Sequence, residues 1–283
     1  MTPTTMPDPV NYSESRLTEV WTRALDPEGV GLPTAIATDL STFTGEPIAT
    51  VRARMARGME EFKQLWERSG VNVNDPKSVA EFYRDQIVEA YELAQWHCGE
   101  TTGQIPLNYA RAATFATEMR AKTILDFGSG IGSGSLALAA TGAEVHSADI
   151  AQHLLRLTGH RLTRHAHTPV LIDLSAGNKP KENYYDLITC FDVLEHVRDQ
   201  LSTVRELTGY LKKGGWLVAN FVEDSTHPER PMHISSAGNW VRMVRKTSLS
   251  PDWPASARLG LPVVARKPFS RIRNIAALVL HGE

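Results

Sequence analysis

The spacing of apolar residues changes in character near residue 120. Before that point, apolar side chains recur every three or four positions between charged ones, which is the spacing of amphipathic helices. Asp75 followed by Pro76 is typical of an N-cap with proline at the first helical position. The pattern predicts helices over residues 51–70, 75–96 and 107–119, with weaker helical patterns at 17–25 and 33–40.

After residue 120, short runs rich in Ile, Leu, Val and Phe alternate with helical segments. Such alternation is typical of a parallel sheet covered by helices on both faces. The predicted strands are 123–127, 144–148, 170–174, 186–191, 216–221, 262–266 and 271–280. The predicted helices are 133–140, 151–160, 200–211, which Gly214 and Gly215 would end, and 236–245. We therefore expect an α/β fold with a doubly wound, mostly parallel sheet.

A glycine-rich turn follows the first predicted strand, in the segment Asp126-Phe-Gly-Ser-Gly-Ile-Gly. Glycine allows backbone to approach a ligand closely where a strand leads into a helix. The next strand ends at Asp149, 21 residues after Gly128, where a carboxylate accepts hydrogen bonds from ribose hydroxyls. A glycine pattern alone is weak evidence, but these two signals agree on a nucleoside-binding site.

The spacing also restricts which nucleotide is bound. The dinucleotide fingerprint requires Gly or Ala at its sixth position, but counting from Gly128 reaches Ser133 and counting from Gly130 reaches Ser135. The chain has no GxxxxGK[ST] phosphate loop either. An adenosine-type ligand without a phosphate requirement remains. Asp126 beside the loop would suit a cationic one, because a carboxylate attracts an ammonium group.

These residues resemble the class I S-adenosylmethionine-dependent methyltransferases, over about residues 105–223. The glycine segment is similar to the family's first motif, and Asp149 to its ribose-binding acid. Asp173-Leu174 resembles the adenine-side pair, and Phe191-Asp-Val-Leu-Glu-His-Val the segment after the fourth strand. The resemblance implies a Rossmann-like core with S-adenosylmethionine as cofactor. The contacts that it implies are Gly128, Ser129 and Gly130 with the methionine part, Asp149 and Ile150 with ribose and adenine, Asp173 and Leu174 with adenine, and Phe191 at the floor.

The chain is accordingly divided into three parts. Residues 1–104 are expected to form an N-terminal helical lid and substrate region. Residues 105–223 would be the cofactor-binding core, and residues 224–283 a loop, a helix and late strands that complete the sheet. Substrate selectivity is expected to reside outside the core, where the resemblance has no specificity.

Methyl transfer from a sulfonium is an in-line displacement, so positioning and desolvation supply much of the rate. The sequence offers no GxSxG elbow with triad partners, no HExxH and no CxxC, and no metal site is predicted. We expect the helix over 75–96 to cover the cofactor, with Tyr83 and Trp96 facing its methionine end, because a desolvated cation over a ring gains roughly 2 kcal/mol or more. Simple packing of these rings onto the sheet is the alternative.

Two histidines follow strands at the carboxyl edge of the sheet, where ligands bind: His196 after the fourth and His233 after the fifth. Together with Tyr83 they are the catalytic candidates, as base or substrate anchor, and a structural role is the alternative for each. A group of histidines and arginines within residues 153–167 is interpreted as a solvated helix face, because no carboxylate or thiolate joins it at metal-site spacing.

Charge and composition limit the kinds of partner that the protein is expected to bind. Thirty Lys and Arg against 32 Asp and Glu leave a net charge of −2 over 283 residues, so no bulk field favours nucleic acid. Two cysteines are too few for a disulfide framework. No apolar run of membrane-spanning length and no signal pattern is present. We expect a cytoplasmic protein with a small-molecule substrate and without membrane contact, and a homodimer is left open.

Three functions are compared. The first is methyl transfer to a small molecule beneath the helical lid. In the second, the cofactor's own amino group attacks its side chain and gives a four-membered ring amino acid, azetidine-2-carboxylate, with release of methylthioadenosine. The third is a non-catalytic S-adenosylmethionine-binding scaffold, which intact cofactor motifs disfavour. The sequence does not separate the first two.

Overall fold

The computed structural model describes residues 12–101, 103–220, 230–233 and 240–269. Within these ranges, the part before the first strand is helical. Its helices are α1 (Glu14–Leu25), α2 (Leu32–Thr44), α3 (Ile48–Met55), α4 (Gly58–Ser69), α5 (Pro76–Asp85), α6 (Val88–His97) and α7 (Leu107–Glu118). None of these helices, nor any other in the described part of the chain, combines the length and apolar character that crossing a bilayer requires.

A seven-stranded sheet follows, in the order β3-β2-β1-β4-β5-β7-β6. The strands are β1 (Thr123–Phe127), β2 (Glu144–Asp149), β3 (Val170–Asp173), β4 (Tyr185–Cys190), β5 (Leu211–Ala219), β6 (Ser250–Pro251) and β7 (Val263–Arg266). The first five are parallel, whereas β7 is antiparallel to both of its neighbours. The helices that accompany them are α8 (Ser133–Ala139), α9 (Gln152–Arg164), α10 (Gln200–Tyr210), α11 (Trp240–Arg245) and α12 (Trp253–Leu259), with a 3-10 turn at Leu194–His196.

This architecture confirms the predicted α/β class, with a doubly wound, mostly parallel sheet and a helical N-terminal region. The strand order reverses between β1 and β4. From β1, the sheet continues through β2 and β3 on one side and through β4 and β5 on the other. In open α/β sheets, ligands bind at the carboxyl ends of the strands beside such a reversal. The topology therefore points to the ends of β1, β2 and β4.

Two long helices of the prediction are each divided in the structure. The predicted helix over 51–70 is interrupted between Met55 and Gly58, where Gly58 packs on α6 so closely that a Cβ would lie 2.4 Å from the Glu92 backbone nitrogen. The predicted helix over 75–96 is interrupted at Gln86, whose backbone is extended and whose side chain accepts a hydrogen bond from the Glu89 backbone N–H. Apolar spacing alone does not reveal either break.

The start of β5 also differs from the prediction. Gly214 and Gly215 do not end a helix, because α10 ends at Tyr210 and β5 begins directly at Leu211. The glycines occupy an irregularity in the pairing with β4, and Gly214 has a φ of +82°. Glycine suits such a bulge because it adopts positive φ without steric cost. The predicted strand over 271–280 lies outside the described residues, as do residues 223–229 of the predicted loop and residues 236–239 of the predicted helix over 236–245, whose remainder is α11.

A buried ion pair connects the helical region to the sheet. Arg161 of α9 is fully buried and donates from Nε to Asp39 of α2 at 2.9 Å and from a guanidinium nitrogen to the Ile131 carbonyl at 2.7 Å. Burial opposes ionisation of Asp39, but the hydrogen bond from His165 and the charge of Arg161 hold its pKa below the usual range. The interpretation of residues 153–167 as a solvated face is wrong at Arg161, since a carboxylate from a distant helix joins it.

Candidate functional site

A cavity of about 300 Å³ lies at the carboxyl edge of the sheet. The loops after β1 and β4 and the end of β2 form its sheet side, and α5 and α6 cover the other side. Sequence-predicted residues that line this cavity are Tyr83, Trp96, Gly128, Ser129, Gly130, Asp149, Ile150, Leu174, Phe191 and His196. The cavity thus brings together residues from six separate segments of the chain.

The glycine loop is folded tightly against β2 by backbone hydrogen bonds. The backbone N–H groups of Gly128 and Ser129 donate to the Ala148 carbonyl at 2.8 and 3.2 Å. Gly128 has a φ of +77°, and a Cβ there would lie 2.1 Å from the Val193 side chain. The loop therefore requires glycine at this position both for its backbone conformation and for its contact with the turn after β4.

Asp149 ends β2 and faces the cavity from beneath this loop. Its two carboxylate oxygens accept hydrogen bonds from the backbone N–H groups of Gly130 and Ala151, both at 2.8 Å. Burial raises the pKa of Asp149 to about 6, although these hydrogen bonds act in the opposite direction. Each oxygen retains a second lone pair, so the carboxylate can still accept hydrogen bonds from two hydroxyl groups of a ligand.

Asp126 and Asp173 are not among the residues that line the cavity. Asp126 is buried within the sheet and accepts hydrogen bonds from Ser135 and Thr189 at 2.7 and 2.8 Å. Asp173 accepts a hydrogen bond from the hydroxyl of Ser175 at 2.6 Å. Their predicted contacts with a cofactor stay predictions, whereas in the structure both carboxylates stabilise the protein's own turns and strands.

Tyr83 both packs in the core and lines the cavity, and its predicted contact with the methionine end of a cofactor stays a prediction. Its ring packs among Phe62, Trp66 and Phe82, with centroid distances of 5.3 to 6.3 Å, and it is 5% exposed. The same side chain lines the cavity, and its hydroxyl lies 3.2 Å from Nδ1 of His196. Tyr83 is thus a core residue whose polar end reaches the site.

His196 is held in a neutral state. Its Nδ1 lies 3.1 Å from the Met232 carbonyl, which can only accept a hydrogen bond, so this contact places a proton on Nδ1. Burial, followed by the charge of the neighbouring His233, lowers the pKa of His196 to about 3. A histidine with such a pKa is a weak proton acceptor, so the geometry favours a positioning role over that of a general base.

Carboxylates that the sequence analysis did not single out surround the site. Burial raises the pKa of Glu92 and of Glu195 to about 7 in each case. Burial likewise raises the pKa of Glu89 and of Asp192, which both line the cavity with Asp149. Among the described residues that line it, no lysine or arginine balances these three acids. The cavity is therefore suited to a cationic ligand, which would favour their ionised forms.

A second cavity, of about 340 Å³, adjoins the first. The residues that line both cavities are Glu89, Leu93, Trp96, Asp192 and His196. Glu92, Glu195, Arg230 and His233 line the second cavity alone, so the predicted catalytic candidates His196 and His233 both face it. Two adjoining spaces of this size can hold two reactants side by side.

The doubly wound sheet, the glycine loop after β1 and the acid at the end of β2 define a Rossmann-like nucleotide-binding protein. A model of a family described as a methyltransferase domain matches residues 101–254, which is more than half of the chain. The chain belongs to this family, as the resemblance in its sequence predicted.

Ubiquinone biosynthesis O-methyltransferases are among the curated relatives of the chain. That of Nitrosomonas europaea is 32% identical over 100 residues, which cover 34% of this chain and 42% of the relative. That of Bordetella pertussis is 33% identical over 116 residues, which cover 40% of this chain and 47% of the relative. The matched segments span less than half the length of either relative.

Solved structures also resemble the chain. The YcgJ protein from Bacillus subtilis is 18% identical with a TM-score of 0.43, over 61% of this chain and 84% of that one. An S-adenosylmethionine-dependent methyltransferase from Clostridium acetobutylicum is 19% identical with a TM-score of 0.39, over 45% of this chain and 55% of that one.

Proposed function

We propose that this protein is an S-adenosylmethionine-dependent methyltransferase that methylates an oxygen atom of a small-molecule acceptor. The observation that carries the proposal is the charge of the first cavity. Glu89, Asp149 and Asp192 line it together with aromatic rings, and no described lysine or arginine does. This lining suits a ligand that carries a sulfonium and an ammonium group and no phosphate.

The residues present fit this cofactor. Asp149 would accept hydrogen bonds from the ribose hydroxyls, and the loop at Gly128 would lie against the methionine part. The hydroxyl of Ser129 is buried and has no hydrogen-bond partner among the described residues, so a ligand group in the cavity could satisfy it. When bound, S-adenosylmethionine supplies a methyl group on a good leaving group. The protein's own residues then have to orient the acceptor, exclude water and take up its proton.

The second cavity supports an acceptor separate from the cofactor. It adjoins the first across His196 and Trp96, so an acceptor bound there would lie next to the methyl group. Glu92 faces this space, and its pKa of about 7 suits removal of a proton from a hydroxyl near neutral pH. Oxygen as the accepting atom is supported by the two relatives, which are named as O-methyltransferases.

Intramolecular cyclisation of S-adenosylmethionine would not need the second cavity, because its nucleophile is part of the cofactor itself. The presence of this adjoining space, lined by acid, histidine and arginine side chains, therefore favours transfer over ring closure. A cytoplasmic location also belongs to the proposal. Cys98 and Cys190 are both buried as free thiols, which a reducing compartment maintains.

Product analysis tests the proposal. The protein is incubated with S-adenosylmethionine alone and then with a panel of hydroxylated aromatic compounds, and nucleoside products are identified by mass spectrometry. S-adenosylhomocysteine that forms only with an acceptor, together with a methyl ether, is the expected result. Methylthioadenosine formed without an acceptor would instead demonstrate ring closure and overturn the proposal. The Glu92→Gln variant should retain cofactor binding but lose turnover.

A further inference from the structure

Three potential metal ligands converge in the second cavity. Glu195 and His196 lie in the 3-10 turn after β4, and His233 lies in the segment Arg230 to His233 after β5. One ligand atom from each of the three side chains lies within 4.8 Å of those of the other two. The absence of HExxH and CxxC motifs predicted no metal site, and two adjacent residues with a third far along the chain match no ligand-spacing signature either.

Glu195 has an unsatisfied oxygen at this point. The residue is 1% exposed, and its Oε2 has no hydrogen-bond partner among the described residues. A buried carboxylate oxygen without a donor loses its hydration and gains nothing in return, which is costly. A metal ion between Glu195 and the two imidazoles would remove that cost.

The hydrogen bonding of His196 is of the kind that supports a metal-binding histidine. Its Nδ1 lies 3.1 Å from the Met232 carbonyl, and Met232 directly precedes His233 in the chain. Donation from Nδ1 to a carbonyl fixes the tautomer and leaves the lone pair on the other ring nitrogen, and such a bond commonly supports a ligand histidine. The ring centroids of His196 and His233 are 5.0 Å apart, and the two rings are nearly perpendicular.

The charge of the cavity also favours a cation. Its acidic lining residues are Glu89, Glu92, Asp192 and Glu195, and the basic residue opposite them in the described lining, besides the histidines, is Arg230. When these carboxyl groups are ionised, four of them against one guanidinium give the space an excess of negative charge. A doubly charged ion bound there would stabilise the ionised carboxylates.

We infer that Glu195, His196 and His233 bind a divalent transition-metal ion. Two imidazole nitrogens and one carboxylate oxygen suit Zn²⁺, Fe²⁺, Mn²⁺ or Co²⁺ better than Mg²⁺ or Ca²⁺, which prefer oxygen ligands. Three protein ligands leave coordination positions open toward the cavity. An acceptor oxygen could occupy one of them. That role rests on the proposed function, whereas the site itself does not.

Cobalt titration tests the site directly. The full chain is treated with a chelator, dialysed and titrated with Co²⁺, and binding is followed by the visible absorption of the bound ion and by calorimetry. We expect one equivalent to bind and Zn²⁺ to displace it. Glu195→Gln and His233→Asn should each weaken Co²⁺ binding by about tenfold or more, the scale on which site residues affect metal affinity. His167→Gln, at a partly buried histidine outside both cavities, should leave it unchanged.

The wild-type titration and the variants decide the outcome together. Absence of Co²⁺ uptake by the wild-type protein would overturn the inference, as would uptake that both site variants retain. Circular dichroism shows whether each variant is folded, and the wild-type result stands even where one is not. A parallel titration with S-adenosylmethionine separates the two proposals. Cofactor binding without Co²⁺ binding overturns the metal site alone, and the reverse result overturns the proposed cofactor alone.

Discussion

The backbone N–H of Gly130 donates a hydrogen bond of 2.8 Å to Oδ2 of Asp149. The glycine loop and the acid at the end of β2 are therefore one structural unit, although 19 positions separate them in the chain. Because the carboxylate both shapes the loop and faces the cavity, a change at Asp149 acts on two parts of the proposed cofactor site. This coupling determines how substitutions of the acid should be designed.

Asp149→Asn is expected to weaken binding of S-adenosylmethionine by about 1 to 3 kcal/mol, the scale for losing charge-assisted hydrogen bonds. Asparagine retains the size of the side chain but removes the charge and one acceptor. Isothermal titration calorimetry measures the dissociation constant. Asp252→Asn is the matched control, because the Asp252 carboxylate also accepts a hydrogen bond from a backbone N–H, that of Ala255 at 2.9 Å, but does not line the cavity. Equal effects of the two substitutions would contradict the role of Asp149.

Cofactor affinity is expected to fall below about pH 6, because the raised pKa of Asp149 means that its carboxyl group becomes protonated there. Only the ionised group accepts hydrogen bonds from both ribose hydroxyls, so binding must expel the proton. Cofactor affinity should therefore fall as the pH is lowered, by up to about tenfold per pH unit once the group is protonated. Titrations across the range from about pH 8 to pH 5 measure it. A pH dependence that Asp149→Asn retains in full would assign the effect to another group.

Gly128→Ala should destabilise the protein more than Gly142→Ala. Both glycines have positive φ, +77° and +85°, so both substitutions introduce backbone strain of about 1 kcal/mol or more. Only at Gly128 would the new Cβ meet another side chain, at 2.1 Å from Cγ2 of Val193, whereas nothing lies within 4 Å at Gly142. Urea unfolding of the two variants measures the difference. Addition of Val193→Ala should restore part of the stability of Gly128→Ala, and the absence of any restoration would exclude this clash as the cause.

The sequence predicts the structure best where the structure depends on residues that are close together in the chain. A buried parallel strand is an apolar run, so the range of β1 was predicted without error, and the glycine loop and Asp149 follow directly from strand ends. The breaks after Met55 and at Gln86 depend on contacts between helices, which no single-helix pattern contains. For the same reason, the pairing of Arg161 with Asp39 could not be foreseen, because 122 positions separate them.

The acids of the site illustrate the same limit. Glu92 lies in α6 among ordinary helical residues, and in the sequence it resembles a solvated glutamate. Its burial and its raised pKa arise only in the folded chain, where α6 packs on α4 and lines the second cavity. Glu195 lies within the motif that follows the fourth strand, but its unsatisfied oxygen and its proximity to His233 are properties of the folded chain. Sequence analysis therefore located the edge of the sheet where the site lies, but not the acids that define its charge.

His97 should make the protein less stable in acid. It is 3% exposed, its Nδ1 lies 2.9 Å from the Ser133 hydroxyl, and its carbonyl accepts a hydrogen bond from Trp21. Burial, followed by the charge of Arg161, lowers its pKa from 6.5 to about 3. Between these values the unfolded chain binds a proton that the folded protein does not. The stability contributed by His97 is thus complete above pH 6.5 and is lost progressively as the pH falls toward 3.

Replacement of His97 by Asn should therefore flatten the pH dependence of unfolding. Without His97, unfolding takes up one proton fewer. The slope of the unfolding free energy against pH should then decrease by up to about 1.4 kcal/mol per pH unit between about pH 6 and pH 4. Urea unfolding at intervals of about one pH unit measures the slope, which is independent of any uniform loss of stability that the substitution causes. His153→Asn is the control, because His153 is only partly buried on α9. If the slopes of the wild-type protein and His97→Asn coincided, the buried imidazole could not be a source of the acid sensitivity.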